Sequence, residues 1–287
     1  MLTLKKAQDE FVKYLRENGR ANATVIAYAK DIDQLVSFLA EKKGRTKPAE
    51  VKTDDIVEFM KSLDEQNYTP KSVSRKTNSA KTFFRFLTDR KEVKEDPATL
   101  VAHPKFDVKP PRILSKIEYR ALRDACKNDI RTNAVVELLL QTGIRIGELA
   151  NLRTSDLHPE KSELYIRAME SHPERTIPFN VPAQKALKAY LDIRPQSKDD
   201  HVFITKSGHQ FLVRNIRTTL DRFFKKAGLT AVKVNDLRHT FVAFHLRNGV
   251  PLNLISRIVG HKRLSTTEHY LNYVEQPKEQ VKGLEEL

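Results

Sequence analysis

The sequence predicts a mainly α protein of two domains, the first all-helical and the second a mixed α/β domain of helices around a small antiparallel sheet. Three observations carry this. Apolar residues recur every three or four positions through the first hundred residues. Pro97, Pro104, Pro110 and Pro111 then crowd the stretch DPATLVAHPKFDVKPPRIL, where proline blocks helix continuation and stiffens the chain. Beyond it, short β-prone segments interrupt a renewed helical pattern. The expected boundaries are 1–96 for the first domain, 97–114 for the linker and 115–287 for the second domain. Each is large enough to bury a core of its own.

In the first domain, KKAQDEFVKYLREN and ATVIAYAKDIDQLVSFLAEKK read as helices with Phe11, Leu15, Ile26, Ile32, Leu35, Phe38 and Leu39 as core candidates. TDDIVEFMKSL places Thr53 in an N-cap position with acids in the first turn. SVSRKTNSAKTFFRFLTD follows Pro70, and its apolar stripe of Val73, Phe83, Phe84 and Leu87 is flanked by Lys71, Arg75, Lys76, Lys81 and Arg85. Those five are the DNA-binding candidates, because a basic helix face suits phosphates or a groove. In the second domain, Ser115 and Glu118 form a capping box for IEYRALRDAC, and TNAVVELLLQTG ends at Gly143. SELYIRAM and RTIPF read as strands around a turn containing His172 and Pro173, with HVFIT as a further strand. Helices resume through AQKALKAYLD, NIRTTLDRFFKKAG, DLRHTFVAFHLRNG and PLNLISRIVG.

Bulk properties exclude several classes. A formal charge of +14 favours a polyanionic partner. Residues 1–110 hold 22 Lys and Arg against 17 Asp and Glu, and the remainder 29 against 20, so neither half is a neutral passenger. The single cysteine, Cys126, rules out an intrachain disulfide framework or a cysteine-rich zinc site and reads as a core residue. No apolar stretch reaches membrane-spanning length, and MLTLKKAQDEF lacks a signal core, so the protein is expected in the cytoplasm or nucleoid.

The residues able to carry chemistry lie in the second half. Arg145 follows Gly143, and Glu148 sits three positions on, where it can brace the guanidinium. Taken by itself, this pair also reads as structural. Arg238 and His239 begin a helix whose first turn favours an anion. His261 follows Gly260, and Ser265 with Glu268 reads as a second capping box that puts Tyr270 about one turn into a short helix. Two arginine forks, a histidine and a phenol can hold a phosphodiester while the phenol attacks it. Tyr273 is a competing nucleophile.

TGIRIGEL, DLRHTF and VGHKRLSTTEHY, in this order and spacing, resemble the tyrosine site-specific recombinases of the phage integrase family, particularly compact Xer-like and transposon-resolving members. The resemblance spans essentially the whole chain. It implies a SAM-like core-binding domain ahead of a tyrosine-recombinase catalytic domain, closing on DNA as a clamp. It also implies a 3′-phosphotyrosyl intermediate and strand exchange through a Holliday junction. The implied partners are double-stranded DNA bearing a specific site and further copies of the chain, four on two duplexes, with room for an accessory protein. No cofactor or metal is implied. Arg145 and Arg238 correspond to the phosphate-binding arginines, His261 to the late histidine and Tyr270 to the nucleophile. Glu148 and His239 resemble supporting residues.

Two positions depart from the family pattern. Asn235 stands where a basic histidine is usual, and an amide cannot take a proton near neutral pH. Glu170 stands where a lysine usually protonates the leaving 5′-oxygen, leaving Lys161 or His172 to substitute. Losing a general acid typically costs about 10²–10⁴-fold. The alternative reading is therefore a catalytically disabled relative that serves as a sequence-specific DNA-binding or architectural subunit. Small size argues against a type IB topoisomerase. His172, His239, His261 and His269 lack the HExxH pattern of a metal hydrolase.

Overall fold

The computed structural model describes residues 2–107, 109–169 and 172–274. They divide into two compact units that meet in sequence at Val108 and Lys109. The first contains four helices, α1 Leu4–Glu17, α2 Asn22–Lys43, α3 Thr53–Glu65 and α4 Pro70–Asp89. Its core is built on aromatic rings: Phe11 and Phe83 lie edge-on with centroids 5.3 Å apart, as do Phe83 and Phe84. Ala98 and Val101 join this core from the proline-rich stretch. Ile26, a core candidate by spacing, is 49% exposed. Thr53 is the first residue of α3 and not its cap; Lys52 is extended, and Asp55 Oδ2 accepts from its backbone N–H at 2.9 Å.

The basic stripe of α4 needs one correction. Lys71, Arg75 and Arg85 are exposed, and Lys81, half-buried, donates to the Thr99 carbonyl at 3.1 Å. Lys76 is buried, with Nζ donating to Asp31 Oδ1 at 2.9 Å and Gln34 Oε1 at 2.7 Å. Asp31, itself buried, also accepts from Arg75 and from Ser79 Oγ. A charge taken out of water is tolerated when paired and hydrogen-bonded, so Lys76 holds α4 on α2 and is withdrawn from the exposed face.

The second unit is helical around a three-stranded antiparallel sheet. Its elements are α5 Lys116–Cys126, α6 Ile130–Thr142, α7 Ile146–Ala150, β1 Leu157–His158, β2 Glu163–Ile166, β3 Arg175–Pro178, α8 Val181–Ile193, α9 Val213–Lys226, α10 Val234–Arg247, α11 Leu252–Val259 and α12 Ser265–Glu268, followed by a 3₁₀ turn, His269–Tyr273. The sheet order is β1-β2-β3, with Leu164 opposite Ile177. α6 is buried around most of its circumference, including Ala134, Val135, Val136, Leu138, Leu139 and Leu140, and packs against both α8 and α10. Cys126 is fully buried, and burial pushes its thiol up to about 12, so it is inert. HVFIT is not a strand: His201 and Ile204 make single bridges to Arg153 and Gln210. No helix among the described residues is long and apolar enough to cross a membrane.

Candidate active site

Helix α6 stops at Gly143, whose φ of +63° suits a residue without a side chain; a Cβ there would lie 2.4 Å from Phe241 Cδ1. The chain turns and Arg145 becomes the N-cap of α7. Glu148 closes the box, Oε2 accepting from the Arg145 backbone N–H at 2.8 Å and Oε1 from Arg145 Nη1 at 3.0 Å. Arg175, arriving from β3, grips the same carboxylate with both Nη atoms at 2.9 Å. Burial opposes ionisation of Glu148, but the hydrogen bonds and charge of Arg175, then those of Arg145, hold its carboxyl below the usual range.

The same two guanidinium groups reach the last carbonyls of α11, which have no partner within their helix. Arg175 Nε donates to Ile258 O at 2.7 Å, Arg145 Nη1 to Val259 O at 3.2 Å and Arg145 Nη2 to Gly260 O at 2.8 Å. Gly260 ends α11 with φ +67°, and a Cβ there would stand 3.0 Å from the Arg175 guanidinium. This tether fixes where His261 emerges. Its backbone N–H donates to Ser256 O at 3.0 Å, and Nδ1 pairs with the fully buried Thr267 hydroxyl at 2.7 Å. Burial, then the charges of Arg238 and Arg145, push the His261 imidazole down to about 3, so it is neutral.

Arg238, one turn into α10, is 5% exposed. Its Nη1 donates to the Gly143 carbonyl at 2.6 Å, while Nη2 is buried with no protein partner. Burial and then the neighbouring Arg145 push the guanidinium down to about 9. Tyr270 is equally buried, its ring flanked by those of His239 and His261 with centroids 5.6 and 6.3 Å away. Tyr270 Oη is hydrogen-bonded to His239 Nδ1, and the other nitrogen of that ring, Nε2, lies 2.8 Å from the Asn235 amide. Burial raises the phenol above its ordinary value, and the charge of Arg238 opposes that rise. The cluster can thus receive an anion at Arg238 and present a phenol to it.

The structure brings together Arg145, Glu148, Asn235, Arg238, His239, His261 and Tyr270. Ser265 is not a cap, because Leu264 before it is already helical and the Ser265 side chain makes no capping bond. Tyr270 accordingly lies in the 3₁₀ turn after α12. Tyr273 is partly exposed, and its hydroxyl pairs with His269 Nε2 at 3.3 Å. His172 is half-buried at the β2–β3 turn, close enough to feel Arg145 and Glu148, with Nδ1 buried and unpartnered. Lys161 is exposed in the β1–β2 turn, at the other end of β2. Glu170 lies outside the described residues.

Sequence reasoning missed Arg175, although the strand pattern contains a signal for it. Side chains two apart share a face, so Arg175 stands on the side of the buried Ile177, and a charge there requires a partner. It also passed over Arg217 and Lys233, which with Asn235 and Arg238 line a concavity of about 510 Å³. Replacing Glu148 by Ala should lower stability by about 3–5 kcal/mol, because the Arg175 guanidinium stays buried and unpaired. Urea unfolding checks this, and Glu148→Gln, which keeps two polar ends, should lose less.

Residues 112–276 match the phage integrase family, and residues 9–91 match its N-terminal SAM-like domain. The chain therefore belongs to the phage integrase family of tyrosine recombinases, enzymes of site-specific DNA recombination. Among its relatives is the tyrosine recombinase XerC of Oceanobacillus iheyensis, 32% identical over 91% of this chain and 90% of that one. XerC of Roseiflexus castenholzii is 31% identical over 91% and 87%. The crystal structure of XerA recombinase aligns with a TM-score of 0.52 at 28% identity, covering 95% of this chain and 99% of that one. A lambda integrase tetramer bound to a Holliday junction shares the fold, with a TM-score of 0.78 at 17% identity over 98% and 81%.

Proposed function

We propose that the protein cuts and rejoins double-stranded DNA at a specific site, Tyr270 attacking the scissile phosphate to form a 3′-phosphotyrosyl link. Four copies act on two duplexes in the cytoplasm and exchange strands through a Holliday junction. The observation that carries the reading is Arg238 Nη2, a buried donor without a partner in a cluster that also presents a phenol. A nonbridging phosphate oxygen would satisfy it, and its charge would be worth more there than in water. Arg145, braced by Glu148, holds the second oxygen, and His261, neutral, donates a hydrogen bond from Nε2. His172 protonates the leaving 5′-oxygen, a role supported by its unpartnered Nδ1; burial and then the charge of Arg145 lower its proton affinity in the free protein, and the phosphate's negative charge opposes that. Lys71, Arg75 and Arg85 on α4, with Lys81, contact the DNA backbone. Lambda integrase bound to a core site and as a tetramer on a Holliday junction supports the DNA partner and the assembly.

The test is covalent trapping on a duplex nicked beside the cleavage position and carrying DNA that flanks the gene. The expected result is a protein–DNA adduct whose nuclease-trimmed peptide, read by mass spectrometry, carries its nucleotide on Tyr270. Specific binding without an adduct would overturn the catalytic reading and leave a DNA-binding subunit.

A further inference from the structure

The phenol must lose a proton as it attacks, and the position usual for a basic histidine is held here by Asn235. Yet Tyr270 Oη is not left without a base, because it meets His239 Nδ1. The ring's other nitrogen, Nε2, is 2.8 Å from Asn235 Nδ2, one helical turn earlier on α10, and a half-turn of the amide puts Oδ1 in that place. This makes a continuous line of amide, imidazole and phenol.

Which way protons run along that line depends on the amide. If its NH₂ donates to Nε2, the neutral ring carries its proton on Nδ1, donates to Tyr270 Oη and can accept nothing from it. If its carbonyl oxygen accepts from Nε2–H, the lone pair on Nδ1 faces the phenol proton. An amide has the same shape either way, and Asn235 is exposed, so the NH₂ turned outward is hydrated at little cost. Only the second arrangement lets the phenol ionise.

We propose that Asn235 holds His239 as the Nε2–H tautomer, so that His239 Nδ1 is the general base for Tyr270. This rests on the recombinase reading above and supplies the base that the family pattern places where this chain has Asn235. As the Oη–P bond forms and the P–O5′ bond breaks, the Tyr270 proton passes to Nδ1, and the electron pair of the broken bond leaves on the 5′-oxygen. On rejoining, the imidazolium returns that proton to Tyr270 as the phenolate departs. Asn235 is a positioning residue in this scheme and His239 a catalytic one. The charged and titratable groups facing the ring are Asp236 and Arg238 on its own helix, His261 from the α11 turn and Tyr270 from the 3₁₀ turn. Burial opposes the transient imidazolium most strongly and holds the ring below its ordinary proton affinity, Asp236 is the acid that favours the imidazolium, and Arg238 opposes it.

The first test needs no DNA. In full-length protein labelled with ¹⁵N-histidine, long-range ¹H–¹⁵N correlation of His239, assigned by its loss in His239→Gln, should show protonated Nε2 and bare Nδ1 near neutral pH. A bare Nε2 with protonated Nδ1 would overturn the relay. The second test is cleavage of the nicked duplex. His239→Gln should slow adduct formation by about 10²-fold or more and flatten the low-pH limb of the rate profile, and Asn235→Leu should slow it while keeping that limb. Asn235→Asp, which can only accept from Nε2–H, should restore cleavage and move that limb to higher pH. A duplex with sulfur in place of the bridging 5′-oxygen needs no protonation of its leaving group, so it should not rescue His239→Gln. Wild-type rates in His239→Gln would sink the relay while leaving the recombinase standing. Absence of any adduct from the wild type, with the Nε2–H tautomer present, would sink the recombinase reading instead.

Discussion

Tyr270→Phe should abolish covalent capture of nicked DNA while leaving DNA binding within about twofold of wild type. The phenylalanine ring keeps the place of Tyr270 among Phe241, Val242, Ile255, Val259 and Val274, so the packing beneath the site survives. What is lost is Oη and its bond to His239 Nδ1, a change of about 1 kcal/mol in stability. Binding should persist because Oη is not among the groups that would hold phosphate oxygens; those donors are on Arg145, Arg238 and His261. Tyr273→Phe should leave capture intact, since the Tyr273 hydroxyl is turned to His269 and not to either arginine. Gel shift on an intact duplex and adduct formation on the nicked one separate the two quantities. Capture lost in Tyr273→Phe and kept in Tyr270→Phe would exchange their roles.

Periodicity carried most of the fold into view before the structure did. The four helices of the first unit, the two strands flanking the β2–β3 turn and the helices that follow all rest on apolar spacing, reinforced at α5 by the Ser115 cap. It failed where spacing is blind to partners. Lys76 belongs by sequence to a basic stripe, and only the fold shows that its position faces Asp31, 45 residues away. HVFIT has strand composition, but its backbone pairs with two different loops through single bridges. Ser265 has cap chemistry, yet the chain before it is already helical.

The site divides in the same way. Arg145, Arg238, His261 and Tyr270 could be picked out because each stands beside a glycine or a helix end in a recognisable segment. The interactions that make them one site are long-range and left no local trace. The guanidinium groups of Arg145 and Arg175 join the start of α7 to the end of α11, 115 positions apart in the case of Arg145 and Gly260. His239 and Tyr270 are 31 positions apart, so their bond could not be inferred from either neighbourhood.

In the proposed chemistry Arg238 sets stability against function, and its replacement should separate them. A guanidinium that is 5% exposed, beside Arg145 and with Nη2 unsatisfied, is costly to the free protein, as its lowered proton affinity of about 9 reflects. The bond from Nη1 to the Gly143 carbonyl offsets part of that cost and aims the remaining fork. Removing the charge in Arg238→Met should therefore unfold no earlier than wild type in a thermal scan, while cleavage of the nicked duplex falls by about 10²–10³-fold, the usual loss when one preorganised donor to a developing charge is removed. Arg238→Lys should not rescue cleavage, because a single ammonium cannot keep the Gly143 carbonyl and a phosphate oxygen in the same planar fork. Specific binding should weaken with a salt slope shallower by about one unit, as expected when one cation no longer neutralises a phosphate. An Arg238→Met protein that melts well below wild type would show that the guanidinium is a structural asset, and an unchanged cleavage rate would remove it from the site.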